Sequence, residues 1–214
     1  MKVLLFSLIV GVLIFSVRVF ASLPLSGKII VIDPGHGGVD PGASHLDVLE
    51  KDLNLQVSLI LEQMLGEAGA SVVLTRDGDY DLSKPNAVWR KKSDFDNRIK
   101  LINELKADMY ISVHMNHLPQ EKYFGAQVFY LKNDDFSNQI AESIQVQLNK
   151  DFKFDKEIKQ IPNTTYMYSK LEVPGVLIEC GFLSNYSEMK NLQTSEYQKK
   201  LAKTIAQGII DVLN

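Results

Sequence analysis

A single cysteine, Cys180, in 214 residues excludes an internal disulfide, and a chain of this length can bury enough apolar surface to fold without one. No internal repeat or low-complexity tract is present. Nor is either charge in large excess: 23 Lys and Arg stand against 26 Asp and Glu, interspersed, for a net charge of -3. That pattern leaves no electrostatic footprint for nucleic acid, which is excluded as a partner. The remaining composition, 45% hydrophobic and 23% charged, suits one globular domain of α/β size plus a short extra segment.

The extra segment is at the front. After Lys2 the run Val3 to Val17 is apolar apart from Ser7, Gly11 and Ser16, and residues 1–21 contain no acidic residue. Such a run is short for a membrane-spanning helix and has the length of the core of a secretion signal. A buried core helix does not fit, because no polar face interrupts Leu8 to Phe15. Val19-Phe20-Ala21 resembles a cleavage site, with Arg18 beside it as an unfavourable neighbour. Residues 1–21 therefore read as a signal peptide or, if uncleaved, an N-terminal membrane anchor, followed by a short linker over 22–27. Both readings export the rest of the chain, and membrane contact is expected only through this segment. No cysteine follows the run, so a lipid anchor is not supported. Without Lys2 and Arg18, 21 basic residues face 26 acidic ones, for a charge near -5.

Three apolar runs then end in ionisable side chains. Ile29-Ile30-Val31-Ile32 leads through Asp33-Pro34-Gly35 to His36, Met109-Tyr110-Ile111-Ser112-Val113 to His114, and Pro174-Gly175-Val176-Leu177-Ile178 to Glu179. Runs of this kind are strands buried on both faces, and ligands bind at the carboxyl edge of such sheets. Between them, helical spacing predicts helices over 50–68, 90–106, 135–151, 186–193 and 195–213, and further strands over 71–75 and 125–131. Asp47 to Glu50 looks like a capping box, 152–163 reads as irregular and 164–169 as a short edge strand. The alternation of strands and helices predicts a three-layer α/β/α sandwich with a mostly parallel central sheet covered by helices on both faces.

A metal site is the chemistry that best uses these groups. His36 and His114 are imidazoles at different strand ends, and Glu50 is the leading third ligand because it opens the helix after the His36 loop. Two His and one Glu form a catalytic zinc set, with Glu179 as general base. The alternatives at each position are ordinary ones. Glu50 would serve a capping box without any metal, His117 competes with His114, and His45 lies in a polar loop that suits solvation. Glu179 ends an apolar run, where an unpaired carboxylate is costly, so it needs a partner. Cys180 points to the face opposite Glu179 and reads as a small buried apolar residue.

Several segments in order resemble the zinc-dependent N-acetylmuramoyl-L-alanine amidases of peptidoglycan. They are Ile32-Asp33-Pro34-Gly35-His36-Gly37-Gly38 with Asp40-Pro41-Gly42-Ala43, Glu50-Lys51-Asp52-Leu53-Asn54-Leu55 and Leu74-Thr75-Arg76. Arg98 to Asn103, Ile111 to Asn116 and Val176 to Asn185 continue the series, which spans nearly all of residues 28–213. The resemblance implies zinc held by His36, Glu50 and His114, with Glu179 as catalytic acid/base, in a catalytic domain over 28–214. It implies hydrolysis of the amide between N-acetylmuramic acid and L-alanine of the stem peptide. Met115, His117 and Cys180 depart from the residues usual at those positions, which leaves a secondary metal contact by His117 open. Arg98 falls on a family position and reads as packing and pairing the second helix.

The reading of the remaining architecture is that no separate wall-binding module and no blocking helix between His114 and Glu179 are present. That resembles the germination-specific amidases of spore-formers, which strip peptides before muramic-δ-lactam forms in cortex peptidoglycan. It implies action in the cell wall or forespore intermembrane space, on a muramyl-peptide substrate, with an activating or positioning protein partner. The competing readings are an exported zinc peptidase or deacetylase, and a non-catalytic wall-binding protein of the same fold. A deacetylase would show paired aspartates near an H-x-x-x-H ligand pair, which this chain lacks, and loss of a ligand or of Glu179 would mark the binding protein.

Overall fold

Four aliphatic residues in succession, Ile29 to Ile32, open β1 (Ile29–Pro34), which is buried from Ile30 onward. Its parallel neighbours are β4 (Ser71–Leu74) and β5 (Met109–Asn116). Beyond β5 lies β8 (Gly175–Phe182), also parallel. The sheet then reverses: β6 (Gln127–Tyr130) is antiparallel to β8, and β7 (Lys159–Gln160) runs with β6. The order β4-β1-β5-β8-β6-β7 is thus mostly parallel with a reversed edge pair, and a two-stranded ribbon of β2 (Ser44–His45) and β3 (Val48–Leu49) stands apart. The computed structural model describes residues 23–131, 134–162 and 164–214. The signal or anchor assigned to residues 1–21 lies outside the described residues.

Side chains alternate along each strand and so feed two helical layers. Ile30, Ile32, Ile111, Val113, Val176, Ile178 and Cys180 pack on one face against α1 (Glu50–Glu67), α3 (Asp135–Phe152) and α5 (Ser195–Leu213). Leu53, Val57 and Leu61 of α1, Ile140 and Ile144 of α3, and Leu201 and Ile205 of α5 supply the other half of that core. The short α4 (Tyr186–Leu192) follows β8 and adds Met189 and Leu192. Val31 and Tyr110 point the other way, to Ile102 of α2 (Arg90–Glu104) and to Met167 and Tyr168. This is the three-layer sandwich the alternation predicts. Among the described residues no helix is long and apolar enough to cross a membrane.

Three local expectations fail. The residue preceding α1 is Leu49, which makes no side-chain cap, because Asp47 lies in the β2–β3 turn and Glu50 turns its carboxylate away. Residues 164–169 form turns that enter a 3-10 turn, Tyr168–Lys170, rather than an edge strand. Met167 and Tyr168 both bury their side chains on the sheet face there, a demand that strand alternation cannot meet. The edge strand is instead β7, inside the stretch expected to be irregular. Finally, β5 and β8 continue past the ends of their apolar runs, so His114 and Glu179 lie within strands, as register partners.

Candidate functional site

The turn after β1 is set by buried arginines. Arg98 donates from Nη1 to Asp33 Oδ1 at 2.7 Å and Pro34 O at 2.8 Å, from Nη2 to His36 O, and from Nε to Asp94 Oδ2 at 3.0 Å. Arg76 donates to Pro34 O at 3.0 Å, Gly35 O at 2.9 Å and Lys51 O at 2.8 Å. Both side chains are enclosed. Asp33 also accepts from Thr75 Oγ1 at 2.6 Å and Ser112 Oγ at 2.9 Å. Burial alone would raise its pKa, but Arg98 and Thr75 outweigh burial and hold it below the usual carboxylate value. Such satisfied charges fix the loop that presents His36, whose φ is +61.

Gly35 makes room for the second imidazole. A Cβ there would overlap the His114 ring, so the loop and β5 can approach only with glycine. The His36 and His114 rings stand 5.0 Å apart and nearly perpendicular, at 80°. Between them is Glu50 Oε1, 2.9 Å from His114 Nδ1 and 3.2 Å from His36 Nε2. Met115 N donates to the same oxygen at 3.2 Å, and Ala43 N donates to Oε2 at 2.7 Å. Burial opposes ionisation of Glu50, but the two histidines outweigh it and depress its pKa strongly. Burial lowers the pKa of His36, and Glu50 and Asp40 together more than reverse that. Asp40 Oδ2 is 3.0 Å from His36 Nδ1.

Glu179 faces this cluster from the strand beside His114. Part of the residue opens to the cleft, but Oε2 is enclosed and has no hydrogen-bond partner. Burial first, and then the charge of Glu50, push its pKa up to about 7 against the opposing pull of His114 and His36. Tyr168 closes the site from above, its hydroxyl 3.1 Å from Ser112 Oγ and 3.5 Å from His114 Nε2. Its burial raises its pKa and keeps the phenol protonated. A cavity of about 130 Å³ lies there, walled by Phe95, Tyr166, Met167 and Tyr168.

His36, Glu50 and His114 each offer a ligand atom within 4.8 Å of the others. Zinc–ligand bonds of about 2.0–2.1 Å at tetrahedral angles separate ligand atoms by about 3.3 Å. The spacings of 2.9 and 3.2 Å about Glu50 Oε1 are close to that edge length, and Glu179, the register partner of His114, lies near enough for all three to act on its charge. The donor set therefore fits a divalent cation such as zinc. The other expected candidates are elsewhere. His117 lies beside His45, with ring centroids 6.2 Å apart, and Cys180 is in the core on the opposite face, its pKa raised by burial.

The sequence reading missed the depth of the Asp33, Arg76 and Arg98 network. Its parts are visible in the sequence as an acidic residue near the end of a buried strand and two arginines, Arg76 just after β4 and Arg98 within α2. Tyr168 carried no signal, because it reaches the site from a turn.

Comparison with known proteins gives the family. A family profile described as N-acetylmuramoyl-L-alanine amidase matches residues 30–211. The germination-specific N-acetylmuramoyl-L-alanine amidase of Bacillus subtilis (strain 168) is 42% identical over 192 residues, covering 88% of this chain and 81% of that protein. The CwlD amidase from Clostridioides difficile, in a structure with the GerS lipoprotein, superimposes with a TM-score of 0.83 at 36% identity, covering 87% of this chain and 98% of that one. The catalytic domain of CwlV from Bacillus (Paenibacillus) polymyxa var. colistinus gives a TM-score of 0.74 at 29% identity, over 86% and 97% of the two chains. With its fold and nearly its whole described length matched, the chain belongs to the N-acetylmuramoyl-L-alanine amidase family.

Proposed function

We propose that the chain is an exported, zinc-dependent peptidoglycan hydrolase that cuts the amide between N-acetylmuramic acid and L-alanine. The observation that carries the reading is Glu50 Oε1 between two imidazoles, with the unpaired carboxylate of Glu179 across from it. His36, Glu50 and His114 would hold the zinc. Zinc supplies Lewis acidity, polarising a carbonyl and making a water more acidic. Glu179 takes a proton from the attacking water and delivers it to the departing amine of L-alanine, a role open to a carboxylate beside the metal ligands whose Oε2 has no hydrogen-bond partner of its own. Arg76 and Arg98 keep the His36 turn rigid, and Tyr168 limits water over His114.

The likeness to a germination-specific amidase supports a role in spore cortex maturation, where peptide removal precedes muramic-δ-lactam formation. The apolar residues 1–21 support export to the cell wall or the forespore intermembrane space. CwlD was solved with the GerS lipoprotein, which supports an activating or positioning protein partner here as well. The test is mass spectrometry of muropeptides incubated with purified protein and stoichiometric zinc. Free peptides beginning in L-alanine, together with peptide-free muramic acid, are expected. Cleavage at any other bond would refute the assignment.

A further inference from the structure

A second cavity, of about 590 Å³, lies on the same sheet face and begins where the reacting residues end. Asn116 follows His114 by two residues on β5 and so projects from the same side, and Gln127 is the cross-strand partner of Glu179. Both line the cavity, with Phe182 and Lys156. The cavity is therefore placed to receive one half of a substrate whose scissile bond lies between His114 and Glu179.

Lys156 is built into that wall. Asn149 holds its backbone, donating to its carbonyl at 2.8 Å and accepting from its N–H at 3.3 Å. Its ammonium stands 5.7 Å from the centroid of Phe124 and 5.8 Å from that of Phe182. Glu188 holds the backbone beside both rings, accepting from Gly125 N, next to Phe124, at 2.8 Å and from Phe182 N at 2.7 Å. Asp155 and Glu157 line the same cavity and Glu188 feels the Lys156 charge, yet among the described residues no carboxylate lies within 4.0 Å of the Lys156 ammonium. The cavity on the other side of His114 offers no such charge, because its cation, Arg98, is already paired with Asp33 and Asp94.

We propose that the larger cavity holds the departing stem peptide and that Lys156 binds a carboxylate on it. This inference rests on the amidase reading. Of the two halves of that substrate, the peptide carries the free carboxylates, and the glycan side is neutral around the lactyl amide. The second residue of the stem is a glutamate joined through its side chain, which leaves its α-carboxyl free in some walls and amidated in others. Lys156 then selects the acid form.

The test compares initial rates of the full chain on two muropeptides that differ only in a free or amidated α-carboxyl at that residue. One charge-assisted contact open to solvent on one side predicts about a tenfold higher kcat/KM for the acid, mostly through KM. K156M keeps the aliphatic stem between the two rings and should lose rate on the acid alone, whereas K156R should retain the preference. Equal rates with the unaltered chain, or a preference that survives K156M, would overturn the inference. Calorimetric binding of the free stem peptides reads the same preference without turnover. A chain that prefers the acid peptide yet cleaves neither muropeptide would support the Lys156 site and refute the amidase reading.

Discussion

Glu179→Gln should change how the stability of the metal-free protein depends on pH. Burial lifts the Glu179 carboxyl from 4.5 to about 7, so between those values the folded chain keeps a proton that the unfolded chain has released. The unfolded state then binds fewer protons, and stability falls as pH rises through that window. Each tenfold change in proton affinity is worth about 1.4 kcal/mol, which sets an upper bound of about 3 kcal/mol by pH 8. Because part of the residue opens to the cleft, the expected loss is about 2 kcal/mol. Glutamine does not titrate, so it escapes that loss. Urea unfolding of both proteins with a chelator, from pH 4.5 to 8.5, should show the variant gaining about 2 kcal/mol on the unaltered chain across the window. A constant difference would refute the argument that burial governs this carboxyl. Adding zinc should shrink the effect, since a cation held by His36, Glu50 and His114 favours the ionised carboxylate.

Gly35→Ala places a methyl on the His114 ring and should weaken zinc affinity at least about tenfold, as displaced ligands do. Competition with a chromophoric chelator would measure it, and unchanged affinity would contradict the role given to that glycine. Arg98→Met leaves Asp33 and Asp94 buried without their cation and should cost about 3–5 kcal/mol in urea unfolding. Adding Asp33→Asn should recover part of that loss, and a strictly additive double variant would show that the pair is not coupled.

The strands that carry the site were legible because each is written as a mostly apolar run that ends in a polar residue. His36, His114 and Glu179 could be placed at one edge on that basis alone. Glu50 could not be separated from a capping residue by spacing, since both uses put a carboxylate at the first turn of a helix. The structure brings that carboxylate to the histidines because Leu49 caps nothing and Ala43 N takes the other oxygen. Asp33 and Arg76 stand out in the sequence as charged residues at the ends of strands, but that they meet, and that Tyr168 joins them, depends on elements far apart in the chain. The edge strand β7 is two residues long, too short for alternation to show.

The measurement that tests the central claim most directly is zinc content beside turnover for the unaltered chain, Glu179→Gln and His114→Ala. The account predicts stoichiometric zinc in the first two, turnover in the first alone, and neither in the His114 variant. Full zinc content in His114→Ala would contradict the ligand assignment, and full turnover by Glu179→Gln would remove that carboxylate from the reaction.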